Sequence, residues 1–231
     1  MPSVGFMADL KENDPEGYEN FKALMANVNQ ALSAEGLAPH HEPESVSSGD
    51  FISLDMFGYS GLHYLRRVAA HITFTGKLPS PGDDDSSKDT LVERYYTESL
   101  EEKAPKSFLS LLKKSPKNKS FDFNHLMHHS DCEGYYLPLE FTNVIFPDPE
   151  LKIPGAMIGS AYRLLQECER LAVALAIPQD MDSESDELWE AAQSQGEGEG
   201  WRRYGVESFT CVRLIHACEA SIRSKAALVY A

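Results

Sequence analysis

Apolar residues recur at helical spacing along much of the chain, and the first such stretch follows Asp14-Pro15. Aspartate caps a helix with its side chain, and proline suits the first helical position. The apolar positions that follow are Tyr18, Phe21, Met25, Val28 and Leu32. This pattern predicts a helix that ends at Gly36, because glycine adopts the left-handed conformation that closes many helices.

The most regular apolar pattern begins after Ser160 and ends at Pro178. Its apolar positions are Ala161, Leu164, Leu165, Cys168, Leu171, Ala172 and Leu175. They repeat at i, i+3, i+4 and i+7, which predicts an amphipathic helix with one buried side. Similar but less regular patterns predict helices over residues 61–74, 90–102 and 206–225.

Strand patterns are fewer and shorter than the helical ones. Branched and aromatic residues predict strands at 134–141 (GYYLPLEF) and 226–231 (AALVYA), with a third short strand at 3–9 (SVGFMAD). Four to six helices beside a few strands predict an α+β fold, in which the helices pack on a small, mostly antiparallel sheet. We expect residues 1–231 to form a single domain.

Charge is distributed unevenly around a formal net value of -15. Residues 179–200 hold eight acids and no lysine or arginine, whereas residues 103–119 hold six lysines and no acid. We interpret the segments at about 76–120 and 179–200 as solvated, partly mobile insertions in the domain. The alternative is a polarised surface that docks a charged partner.

Net charge, apolar runs and cysteine content narrow the class of protein. The negative charge argues against a nucleic-acid partner, since such proteins carry basic patches. We expect neither a membrane span nor a secretory signal, because the long apolar runs that both require are missing, and we expect a soluble, cytoplasmic protein. The four cysteines form no C-x-x-C pair and are expected to be reduced; they are Cys132, Cys168, Cys211 and Cys218.

The densest run of reactive side chains is HLMHHSDCEGYY, which begins at His125. One interpretation is a zinc site. His125, His128 and His129 would share a helix face at i, i+3 and i+4, with Cys132 or Asp131 as fourth ligand. The run lacks the glutamate of H-E-x-x-H, however, and its spacing matches no standard zinc finger.

A second interpretation is nucleophilic catalysis, in which a cysteine thiolate works with a histidine base. The partners would have to converge from separate segments, and no nucleophile elbow is present. The candidates are Cys132 as nucleophile, His128, His129 or His63 as base, Asp131 as orienting group, and Arg66 or Arg67 as anion clamp.

The third interpretation is structural, and we favour it. Ser130 and Asp131 suit helix ends and turns, because their side chains bond nearby backbone N–H groups. Gly134 can supply a positive φ angle. The run would then join a helix to the strand at 134–141 without any ligand.

Three blocks of the sequence resemble a group of uncharacterised, mostly bacterial proteins. The blocks are LHYLRR at 62–67, HSDCEGYYLPLEF at 129–141 and GSAYRLLQE at 159–167. That group pairs an LHYLRR helix with an HSDCxGYY segment and a GSxxRLL helix. With the last helix, the resemblance covers about half of the chain, and it implies no activity or catalytic residue. Segments 76–120 and 179–200 look longer than in that group.

Two functional hypotheses follow from these features. The first, which we favour, is a non-enzymatic domain that binds a protein partner, neutralising or regulating a basic protein as immunity proteins do. No cofactor is expected, with zinc as the alternative. The second is a hydrolase or transferase with a Cys/His/Asp site around HHSDCEGYY. The sequence leaves the oligomeric state open.

Overall fold

The computed structural model describes residues 2–54, 58–103 and 121–230 of the chain. Within these residues it contains eight α-helices and five β-strands. The helices are α1 (Phe6–Asn13), α2 (Pro15–Ala34), α3 (Gly58–Thr75), α4 (Thr90–Lys103), α5 (Asn124–Met127), α6 (Ala161–Leu175), α7 (Asp186–Gln193) and α8 (Gly205–Ser224). The strands are β1 (Pro2–Val4), β2 (Ile52–Ser53), β3 (Gly134–Leu137), β4 (Ile158–Ser160) and β5 (Leu228–Tyr230). Residues 104–119 of the lysine-rich run lie outside the described residues.

The five strands form one sheet in the order β2-β1-β5-β3-β4. Strand β1 pairs with β2 and with β5, and β5 pairs with β3, all in antiparallel register. Only the β3–β4 pairing is parallel, with Tyr135 opposite Ile158. The mostly antiparallel sheet predicted from the sequence is therefore confirmed.

Helices cover both faces of this sheet. Side chains alternate along a strand, so Tyr135 and Leu137 of β3 face one way and Tyr136 faces the other. Tyr135 and Leu137 share a buried cluster with α1 and α2. Tyr136 belongs to the larger cluster, which also contains buried residues of α3, α6, α7 and α8. Helices α2 and α7 therefore lie on opposite sides of the sheet.

Helix α6 follows the sequence pattern closely. Ser160 caps it by accepting a hydrogen bond from the Arg163 backbone N–H at 3.3 Å. The helix ends at Ala176, which has a left-handed backbone conformation. Its buried side packs against α8, where the Cys211 thiol donates to the Cys168 carbonyl oxygen at 3.2 Å. Burial raises the pKa of the Cys218 thiol, which lies in the same core.

The α+β class is confirmed, whereas the predicted number of four to six helices is corrected to eight in the described residues. Helix α1 replaces most of the strand predicted at 3–9, and α5 is a single turn inside the histidine-rich run. Strands β2 and β4 were missed because two or three residues are too short to show an alternating pattern. The single domain with two insertions stays a prediction.

No helix in the described parts of the chain is both long enough and apolar enough to cross a membrane.

The packing of α6 gives a direct test of the core. Leu164 is completely buried, whereas Val173 on the same helix is 76% exposed. Replacing Leu164 with alanine should lower the free energy of unfolding by about 2–5 kcal/mol, because a cavity replaces the side chain. Val173→Ala, the matched control, should change it by less than about 0.5 kcal/mol. Urea unfolding measures both, and equal effects would contradict this packing.

Candidate functional site

The three histidines of the HLMHHSDCEGYY run are buried and point to different partners. The His125 Nδ1 accepts from the Ser160 backbone N–H at 3.0 Å, and its Nε2 lies 3.1 Å from the Thr142 carbonyl oxygen. These contacts fit a neutral ring with its proton on Nε2. His128 Nε2 lies 2.8 Å from the Ser99 hydroxyl.

His129 is held by stacking as well as by hydrogen bonding. Its ring stacks on Tyr136 with 4.0 Å between the ring centroids. Its Nδ1 lies 2.9 Å from the Ser130 carbonyl oxygen. Burial lowers the pKa of His129 to about 3, so the ring is neutral at neutral pH. The histidines thus serve as hydrogen-bonding parts of a buried junction between α5 and β3.

Arg66 of α3 organises the turn that follows α5. Its Nε donates to the Leu126 carbonyl oxygen at 2.9 Å, and its Nη2 donates to the His129 carbonyl oxygen at 2.6 Å. Its Nη1 pairs with the Asp131 carboxylate, which also lies 3.3 Å from His63 Nε2. The side chain is almost completely buried. Because each of its three nitrogens has a protein acceptor, the predicted role of Arg66 as an anion clamp has no support here.

The convergence expected of a catalytic site is only partly present. His63, Arg66, His129 and Asp131 line a pocket of about 440 Å³, although they come from separate segments. Cys132 is exposed and is not among the residues that line it. Its Sγ lies 3.9 Å from the Ser130 hydroxyl oxygen. The catalytic assignment of these residues therefore stays a prediction.

The zinc interpretation has no matching geometry either. Among the described residues, no three His, Cys, Asp or Glu side chains come close enough together to hold a metal ion. The rings of the three histidines instead bond to separate places: His125 to Thr142 and Ser160, His128 to Ser99, and His129 to the Ser130 carbonyl oxygen. The assignment of these histidines and Cys132 as ligands stays a prediction that this arrangement does not favour.

Sequence reasoning missed Glu167, which lies in the apolar stripe of α6. Its carboxylate accepts from the backbone N–H groups of His125 at 3.0 Å and Leu126 at 2.7 Å, and so caps the short helix α5. Burial raises the pKa of Glu167 to about 8. It lies at a groove of about 680 Å³ that also includes Arg163 and Arg170. The sequence does carry a signal for Glu167: it is an acidic residue one helical turn from both Leu164 and Leu171, within the apolar side of the helix.

The acidic segment at 179–200 is attached to the body of the protein at both ends. The Ser183 hydroxyl lies 2.8 Å from His216 Nδ1 of α8. Leu188 of α7 is completely buried against the core. At the far end, α8 begins with Gly205, where a Cβ atom would lie 1.8 Å from the Ala191 carbonyl oxygen. Only glycine therefore allows this close approach of α7 and α8.

Two acidic segments that are distant in sequence meet beside α7. Gln195 Nε2 donates to the Gly82 carbonyl oxygen at 3.3 Å and to Glu207 Oε2 at 2.8 Å. The Gly82 backbone N–H donates to Glu207 Oε1 at 2.7 Å. The Tyr204 hydroxyl donates to the Pro79 carbonyl oxygen at 2.8 Å. These bonds place the acidic loop at 83–85 next to the acidic segment.

We call the resulting surface the acidic face. It consists of eleven exposed carboxylates: Asp83, Asp84, Asp85, Asp180, Asp182, Glu184, Asp186, Glu187, Glu190, Glu197 and Glu199. Three of them have cationic partners, in the pairs Lys88–Asp85, Arg213–Glu184 and Arg202–Glu187. The other eight take part in no salt bridge formed by the described residues. The face therefore carries an excess of exposed negative charge.

The comparison with family models identifies the family. Residues 3–230 match the model of a family described as "Putative DNA-mimic protein". The chain belongs to this family. A comparison with curated proteins gives no match, and neither does a comparison with solved structures. The protein-interaction class expected from the sequence agrees with this family, whereas the three sequence motifs of the resemblance stay predictions.

The buried carboxyl of Glu167 predicts a pH dependence of stability. Its pKa is raised from 4.5 to about 8 in the folded protein, so the folded state binds a proton that the unfolded state releases. The stabilising contribution is complete below pH 4.5 and is lost as the pH rises through about 8. In Glu167→Gln, the free energy of unfolding should fall less steeply over this range. Urea unfolding at several pH values measures the slope.

The control is Glu169→Gln, which removes an exposed carboxylate from the same helix and should keep the wild-type slope. A Glu167→Gln variant with that same slope would contradict the assignment of the pH dependence to Glu167.

Proposed function

We propose that this protein is a DNA mimic whose acidic face occupies the DNA-binding surface of a basic protein and so keeps DNA away. The observation that carries the proposal is the meeting of the 83–85 loop and the 179–200 segment in one exposed acidic surface. Membership of the DNA-mimic family and the net charge of -15 support it independently.

The physical basis is the way in which proteins bind DNA. Duplex DNA carries one negative charge per about 1.7 Å of helix axis, and proteins bind it with lysines and arginines. Carboxylates can meet the same cations. On α7, Glu187 and Glu190 are one turn apart, with about 5–6 Å between their Cβ atoms. A surface that is already ordered loses little conformational entropy on binding, which favours affinity.

Some of the hypotheses drawn from the sequence are part of this proposal, and others stay predictions. A basic protein partner is part of it, and an acidic face would repel nucleic acid rather than bind it. Neutralisation of a basic toxin, as by an immunity protein, and a cytoplasmic location stay predictions. The hydrolase or transferase alternative also stays a prediction, and Cys132 is not among the residues that line the pocket next to it.

A displacement experiment tests the proposal. Three purified proteins represent different modes of DNA binding: a histone-like wrapping protein, a helix-turn-helix repressor and an OB-fold single-strand-binding protein. Each is bound to fluorescent DNA, and the chain is added while anisotropy is followed. We expect the chain to displace at least one of them from DNA, and we expect the displacement to weaken as salt is raised. Failure to displace any of the three would overturn the proposal.

Two triple variants with the same net charge show which surface binds the partner. The face variant combines Asp84→Asn, Glu190→Gln and Glu197→Gln, which changes the formal charge from -15 to -12. We expect it to displace DNA about tenfold less effectively, since exposed ion pairs contribute up to about 1 kcal/mol each.

The control variant combines Glu12→Gln, Glu19→Gln and Glu35→Gln. These exposed acids belong to α1, to α2 and to the end of α2, and α2 lies across the sheet from the acidic face. Displacement should stay within about twofold of wild type. Equal losses in the two variants would show that total charge, and not this face, determines binding.

A further inference from the structure

The groove of about 680 Å³ beside α6 shares no residue with the acidic face. Its volume suits a small molecule, since sites for such ligands enclose about 300–1,000 Å³. Two buried side chains, His125 and Glu167, are among the residues that line it. Both are bonded to the backbone of neighbouring segments, so this wall of the groove is fixed.

Two arginines of α6 line the same side of the groove. Arg163 and Arg170 are seven residues apart, which places them about 20° apart around the helix and about 10.5 Å apart along its axis. Glu167 lies between them, one turn from each. Burial raises the pKa of Glu167 to about 8, so this carboxyl is mostly protonated near neutral pH and contributes little negative charge.

Acidic residues also line the groove. Asp122 lies beside Arg170, with 3.6 Å between Arg170 Nη1 and Asp122 Oδ2. Glu169 is exposed and lies about 120° around α6 from Arg163. Asp122 therefore balances the charge of Arg170, whereas the charge of Arg163 has to be balanced by other groups.

The Arg163 side chain is 33% exposed, and the described residues bond it only weakly. Its Nη1 donates to Gln166 Oε1 at 3.0 Å, and its Nη2 lies 3.5 Å from Glu140 Oε1, on a side chain that is 65% exposed. Its Nε is buried and has no hydrogen-bond acceptor among the described residues. An unsatisfied buried donor costs free energy, and the guanidinium fork can bind both oxygens of a carboxylate or phosphate. An oxyanion in the place of the Glu140 carboxylate would satisfy Nη2 and Nε together.

We propose that the groove binds a small organic oxyanion, in which a carboxylate or phosphate group is carried on a polar body. The charged group pairs with Arg163 and displaces the exposed Glu140 side chain. The polar body lies along Asn124, Thr142 and Asn143, whose amide and hydroxyl groups can form hydrogen bonds with it. This activity is additional to the proposed DNA mimicry and uses different residues.

Isothermal titration calorimetry with two probes tests the site. The probes are ribose 5-phosphate, a sugar phosphate, and gluconate, a sugar acid of similar size. We expect at least one of them to bind with a Kd of about 1 mM or lower, in line with the ligand efficiency of small molecules. Binding of one probe alone identifies the charged group as phosphate or carboxylate. No binding of either probe at about 10 mM would overturn the proposal.

Two variants at the proposed ion pair should act in opposite directions. Arg163→Gln removes the guanidinium and should weaken binding by about tenfold or more, because charge-assisted hydrogen bonds are lost. Glu140→Gln removes the competing carboxylate and should strengthen binding by about two- to fivefold. The matched controls are Arg202→Gln and Glu12→Gln, which make the same charge changes at exposed positions outside the groove. Both should keep the Kd within about twofold of wild type.

A spectroscopic readout on the wild-type protein does not depend on the folding of any variant. In the ¹H–¹⁵N NMR spectrum, the Arg163 Nε–H signal should shift as the bound probe approaches saturation. Binding without such a shift would overturn the assignment to Arg163. Thermal unfolding establishes that each variant used for calorimetry remains folded.

The remaining outcomes are equally decisive. Binding that Arg163→Gln retains, or that Arg202→Gln loses to the same extent, would overturn the proposed site. Because the groove and the acidic face share no residue, failure of this site leaves DNA mimicry standing. Failure to displace any DNA-binding protein likewise leaves the oxyanion site standing.

Discussion

The buried carboxylate of Glu207 connects the two segments of the acidic face, whose exposed carboxylates repel one another. Two like charges 4 Å apart repel by about 1 kcal/mol in water and by about 4 kcal/mol near a protein surface. Glu207 accepts hydrogen bonds from Gln195 and from the Gly82 backbone N–H, and so ties the 83–85 loop to the end of α7. Burial raises the pKa of Glu207, and the same hydrogen bonds oppose that shift by favouring its ionised form. The acidic face depends on this link.

Polar side chains in the interior and carboxylates on the surface have different roles in this protein. Side chains that could carry chemistry are mostly used to build the fold: Arg66 closes the turn after α5, and Glu167 caps α5 itself. Such buried polar groups stabilise a single arrangement only while all of them are paired. The exposed carboxylates around α7 remain at the surface, although Glu184 and Glu187 pair with arginines. Their arrangement, and not the histidine-rich run, is the basis of the proposed function.

Part of this structure could be predicted from local patterns. Helix α6 was predictable because its apolar stripe repeats without interruption and Ser160 and Pro178 mark its ends. The strand at 134–141 was predictable in position, although β3 itself is limited to Gly134–Leu137. The acidic segment was harder, because its composition indicates a solvated loop while Leu188 anchors a helix within it.

The contacts that create the acidic face could not be predicted from sequence. Gln195 and Gly82 are 113 residues apart, and the atom that Gln195 binds in Gly82 is a backbone oxygen. Backbone acceptors leave no signature in the sequence. The contact between the two acidic segments can therefore be recognised only in the folded structure. The same is true of the Arg66 bonds to the carbonyl groups of Leu126 and His129.

The most direct measurement is hydrogen exchange of the chain alone and in complex with a DNA-binding protein that it displaces from DNA. Binding through the acidic face should slow exchange at the amides of 79–85 and 186–199. Helix α2, across the sheet, should exchange as it does in the free chain. Protection confined to α2, or absent from both acidic segments, would contradict the assignment of function to this face.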